Sequence, residues 1–92
     1  MNHPAIELNA DEKRFETVVE GHLCELGFEL ADNVIHINHV RVPKAVGGRG
    51  IAGNLTRHAL DHARARGWKV VPNCPYVKTW IDRHREYAEL VA

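Results

Sequence analysis

The sequence is poor in cysteine: Cys24 and Cys74 are its two thiols, too few for a disulfide framework. Both are expected free, and with no signal-peptide pattern at the start, a reducing cytoplasm is the expected location. No charge of one sign dominates either. Twelve Lys and Arg against twelve Asp and Glu leave a formal net charge of zero. That balance argues against a nucleic-acid partner, because phosphate contacts need a basic excess. No apolar run approaches the ~18 residues of a membrane-spanning helix. No Ser-, Pro- or Gln-rich tract suggests a linker or a disordered tail. Seven histidines raise the question of a metal. His58 and His62 have a spacing that zinc uses, yet no paired cysteines, no His-Glu-x-x-His and no third ligand accompany them. No metal site is expected.

What remains is a chain of 92 residues with 45% hydrophobic content, expected to form one domain over residues 1–92. Its core is modest, so a ligand site must lie near the surface. Residues 1–12 are polar and weakly patterned, with "AIEL" a candidate short edge strand. From Arg14 the period is two. Phe15, Thr17 and Val19 share one face, and Cys24, Leu26, Phe28 and Leu30 share another, with Gly21 at the turn between them. Asp32 and Asn33 mark a second turn. "NVIHINHVRV" is a third strand, its phase changing before Val40 and Val42 as a bulge would make it.

Beyond Pro43 the pattern changes. Ile51 to Arg66 carries an apolar stripe of Ile51, Ala52, Leu55, Ala59, Leu60 and Ala63, which predicts a helix ending at Gly67. "WKVVP" predicts a strand and "YVKTWIDRH" a second helix, with Tyr87, Leu90 and Val91 closing the core. The expected fold is α+β, in the order β-β-β-α-β-α, with helices packed on a sheet.

Four of the seven glycines, Gly47, Gly48, Gly50 and Gly53, crowd the entrance to the first helix. The first N–H groups of a helix have no intrahelical partner, and the helix dipole adds partial positive charge there. Glycines let backbone approach an anion closely, so strand, glycine-rich turn and helix together predict a phosphate site. Arg49 adds a cation. The stretch lacks both the P-loop pattern and the spaced glycines of dinucleotide folds.

"VPKAVGGRGIAGNLTRHALDHARARGWKVVPNCPYV" resembles the acetyl-coenzyme A motif of the GNAT N-acetyltransferase superfamily, and within it the small YjdJ-type members. Gly50 and Ala52 fill the last two positions of the superfamily's Arg/Gln-x-x-Gly-x-Gly/Ala pattern, whereas Gly47 stands where Arg or Gln is usual. The likeness covers residues 34–91, through "VVPNCPYVKTWIDRHREYAEL".

The resemblance implies a mixed, mostly antiparallel sheet with a splayed strand pair and two helices. Acetyl-coenzyme A would lie between the strand of Val40 and Val42 and that of Val70 and Val71. Its pyrophosphate would rest on backbone N–H groups of Val46, Gly47, Gly48, Arg49, Gly50, Ile51, Ala52 and Gly53. Cys74, framed by Pro72 and Pro75 before a helix, would lie near the coenzyme sulfur, as a nucleophile or as an acid for the departing thiolate. His39 is the candidate base for an amine. Asn73 either bonds cofactor or substrate or caps the second helix. Tyr76 is a further cofactor-side candidate.

The expected activity is transfer of acetyl from acetyl-coenzyme A to an amine, a protein being one possible acceptor. The competing reading is a coenzyme A-binding module without turnover. The extra N-terminal helices that shape the acceptor pocket of larger members are not read in this sequence. A monomer or weak dimer is expected.

Overall fold

A computed structural model describes residues 5–92; Met1 to Pro4, part of the weakly patterned start, lie outside the described residues. Five strands form one sheet in chain order: β1 (Glu7–Asn9), β2 (Arg14–Val19), β3 (His22–Ala31), β4 (Val34–Arg41) and β5 (Lys69–Pro72). The first four pair antiparallel, and β4 pairs parallel with β5. Two helices, α1 (Ile51–Arg66) and α2 (Pro75–Arg83), follow β4 and β5, and a 3-10 segment at Arg85–Leu90 closes the chain. This is the expected α+β architecture with one more strand. The candidate "AIEL" strand starts later than its sequence suggests, at Glu7, where Leu8 pairs with Phe15.

The period-two pattern builds one buried face. Phe15, Cys24, Leu26, Ile35 and Ile37 are fully buried beneath Leu55, Ala59, Leu60 and Ala63 of α1. Burying these side chains supplies the main force holding helix to sheet. The stripe is wider than the apolar residues alone indicate. Thr56 is also fully buried, its hydroxyl donating to the Ala52 carbonyl at 2.8 Å. Two expectations are corrected. Leu30 keeps the phase of the buried face but is exposed, because it lies near the end of β3. Tyr87 and Leu90 close the core as expected, but Val91 is exposed and instead forms a parallel bridge with Val70.

The bulge falls at one residue. Phe28 pairs with Ile37 and Gly27 with His39, leaving Asn38 without a partner on β3. An extra residue reverses side-chain phase. Ile35 and Ile37 therefore point to the core before it and Val40 does so after it, while His39 joins the opposite face.

Candidate functional site

The bulge also marks where β4 and β5 separate. Their pairing runs from Val34 opposite Lys69 to Ile37 opposite Pro72. The next contact is a single bond from the Cys74 N–H to the Ile37 carbonyl, at 3.0 Å, after which the chain turns into α2. Beyond the bulge, His39 to Arg41 of β4 are paired with β3 alone among the described residues. A gap thus opens between the end of β4 and the start of α2. The Asn73 amide donates to the Asn38 side-chain oxygen at 3.0 Å across its inner end.

The glycine-rich loop stands at the gap's outer end. After Arg41 the chain passes a 3-10 turn at Lys44–Val46, in which the Val46 N–H donates to Pro43 and the Gly47 N–H to Lys44. These two amides are spent, and the Val46 side chain is fully buried. Of the residues expected to hold a pyrophosphate on their amides, Val46 and Gly47 thus have N–H groups already bonded within the turn. Gly48 and Gly50 both adopt the left-handed region, φ +76° and +78°, with open space where a β-carbon would be. Gly50 is also the N-cap of α1, with no side-chain cap, and the first-turn N–H groups of Ile51, Ala52 and Gly53 have no acceptor within the helix. Such a terminus suits an anion. Arg49, between the two left-handed glycines, forms a two-pronged ion pair with Glu20 of the β2–β3 turn, at 2.6 and 3.4 Å. This partner lies 29 residues away and was missed from sequence.

Gly53 has a different job from its neighbours. A β-carbon there would lie 3.4 Å from Trp80 Nε1 and 3.6 Å from the Tyr76 hydroxyl, so its smallness brings α1 close to α2. Tyr76 is half-exposed beside it. Burial, with the charge of Cys74 second, holds its phenol above the usual range.

Cys74 is the N-cap residue of α2, with Pro75 in the first turn, and is nearly buried in the core cluster. Asn73 does not cap that helix; its side chain bonds Asn38 instead. Val40, near the end of β4, and Val42, just beyond it, pack partly buried against the core. His39 lies on the face of the sheet away from α1. Its Nε2 is buried without a hydrogen-bond partner and lies 4.0 Å from Glu25 Oε1. Glu25 is itself paired with Arg14 and Arg41 at 3.4 and 3.2 Å. His58 and His62 turn their rings against Phe15, with centroids at 5.4 and 5.3 Å.

A mixed sheet whose parallel strands part beside a glycine-rich helix start is a GNAT-type α+β fold. The chain belongs to the GCN5-related N-acetyltransferase family, whose model matches residues 14–90. It is 29% identical over 84 residues to protein NATD1 of Gallus gallus, an overlap spanning 86% of this chain and 76% of that one. A solution structure of a protein from Staphylococcus aureus, described as GCN5-like, superposes with a TM-score of 0.77 at 24% identity. It covers 100% of this chain and 91% of its own, a likeness of fold. No described helix is long and apolar enough to cross a membrane.

Proposed function

We propose that this chain is an N-acetyltransferase that binds acetyl-coenzyme A along the gap between β4 and β5 and acetylates an amine. The observation that carries the reading is the parting of β4 from β5 at Ile37, with the open amides of Gly48–Gly53 at one end and Cys74 at the other. The residues present fit the cofactor: left-handed Gly48 and Gly50 leave backbone open to a pyrophosphate, and the edge of β4 beyond Ile37, no longer paired with β5, can bond an amide-bearing arm. Acetyl-coenzyme A, when bound, supplies the activated acetyl group.

The chain's own residues then divide the remaining work. The loop amides and Arg49 hold negative charge. Tyr76 and Gly53 shape the wall between α1 and α2. Cys74 keeps a thiol at the inner end of the gap, where the Sγ proton can serve a departing thiolate. His39, on the opposite face of the sheet, receives the proton of an incoming amine at its imidazole. The acceptor would therefore approach from the side away from α1, a surface where a protein amine has access.

Titration with coenzyme A, followed by the backbone amide resonances of Gly48–Gly53, tests the binding half. Shifts confined to those residues and to Asn38–Val42 are expected; their absence overturns the cofactor assignment. Thiol release from acetyl-coenzyme A, measured against a panel of amines and peptides, tests the transfer half. Binding with no release against any acceptor identifies a coenzyme A-binding module without turnover.

A further inference from the structure

The turn joining β2 to β3 consists of Glu20 and Gly21, both left-handed at φ +50° and +78°, between paired Val19 and His22. Two-residue hairpin turns of this kind favour Asn, Asp or Gly at their first position. The β3–β4 turn obeys that preference, with Asp32 and Asn33 at φ +52° and +63°. Glu20 does not. A non-glycine residue held at positive φ outside the usual types invites a search for what its side chain does. Here the carboxylate reaches the arginine of the glycine loop: Arg49 Nη1 donates to Oε2 at 2.6 Å and Nη2 to Oε1 at 3.4 Å. The misfit turn residue and the ion pair are separate observations that point to the same contact.

We propose that Glu20 is a resident competitor anion, occupying Arg49 until a diphosphate-bearing ligand displaces it and so setting the affinity and charge selectivity of the loop. The inference rests on the coenzyme A reading of that loop. With Glu20 in place, Arg49 contributes no net charge to the approach. A singly charged anion gains little by exchanging one carboxylate for another. A diphosphate brings more charge and can engage Arg49 and the first-turn N–H groups of α1 together, which one carboxylate cannot do. Both side chains are substantially exposed, so the exchange needs only rotamer changes and breaks a surface pair of small net worth. The two strands framing the gap do not have to move.

Calorimetric titration of the full chain with coenzyme A, and separately with inorganic pyrophosphate, tests this at low ionic strength. Glu20→Asn removes the carboxylate and suits the turn; Glu20→Gln removes the charge at constant length. Each is expected to tighten both ligands by about two- to fivefold. Arg49→Gln is expected to weaken them, and adding Glu20→Asn to it to produce no further change. Asp32→Asn removes the same charge from the opposite end of β3 and is expected to leave both affinities unaltered. Wild-type binding with unchanged or weaker affinity in Glu20→Asn and Glu20→Gln overturns the competitor role alone. No binding of coenzyme A by the wild type or any variant overturns the coenzyme A reading and the competitor role together.

Discussion

The imidazole of His39 occupies the space above Gly27 so closely that a β-carbon on Gly27 would fall 2.2 Å from its Cε1. The two are cross-strand partners, so the missing side chain at one position is the seat of the ring at the other. Glu25, on the same face of β3, lies 4.0 Å from the buried ring nitrogen.

Gly27→Ala is therefore expected to unseat His39 rather than to unfold the protein. The ring is half-exposed and can swing into solvent, so the stability cost is about 1 kcal/mol or less. A new imidazole position should appear as shifted His39 ring resonances, and acetyl transfer should fall while coenzyme A affinity holds. Unshifted His39 resonances would contradict the seat.

Two glycines at the start of α1 should respond differently to alanine. Gly50→Ala forces a β-carbon into the left-handed region at φ +78°, at a cost of about 1–2 kcal/mol. Gly53→Ala places its β-carbon at ordinary to tight contact with Trp80 and Tyr76, inside a helix where alanine is favoured by about 0.5–1 kcal/mol. Thermal midpoints are expected to fall for the first and to hold or rise for the second.

Cys74→Ala should leave coenzyme A affinity near wild type and reduce acetyl transfer by about 100-fold or more, the range of a positioned proton donor. Full turnover in that variant would leave Cys74 a buried helix cap and nothing else.

His62 makes stability depend on pH on the acid side. Burial, then the charges of Arg66 and His58, push its imidazole below the ordinary value. The unfolded chain therefore takes up the proton first, and stability falls as pH drops below about 6.5, levelling once the folded state is protonated too. Urea midpoints across that range should slope for the wild type and flatten in His62→Phe.

Tyr87 works at the other end of the scale. Its hydroxyl donates to Asp61 at 2.7 Å and accepts from Arg57 at 3.2 Å, tying the C-terminal segment to α1. Tyr87→Phe should cost about 1–2 kcal/mol. Burial, with the Asp61 bond second, raises the phenol above its usual range. Its contribution is full below about pH 10 and fades as pH climbs through the raised value, so the wild type and Tyr87→Phe should converge in alkali.

Elements governed by local pattern were legible in the sequence. Alternation placed β2 and β3 within a residue of their ends, and the stripe from Ile51 to Arg66 matched α1 at both ends. The phase change before Val40 disclosed the bulge before any strand partner was known. Features made by tertiary approach were not legible. Nothing near Glu20 in the chain announces Arg49, and nothing near Gly53 announces Trp80 as its neighbour. Tertiary pairing also decided Asn73, whose amide reaches Asn38 across 35 residues rather than capping its own helix. Val91 failed as a core residue for a related reason. At the sheet edge, bridging Val70 takes precedence over burying the side chain.

Asn38 gives β4 two grammars. Up to Ile37, odd-numbered residues face the core; from Val40 onward, even-numbered ones do. A deletion of that single residue would restore one unbroken alternation, Ile37 inward, His39 outward and Val40 inward, and let β4 continue alongside β5. The gap is thus encoded by a residue count, which many substitutions at position 38 would preserve and no shortening of the strand would.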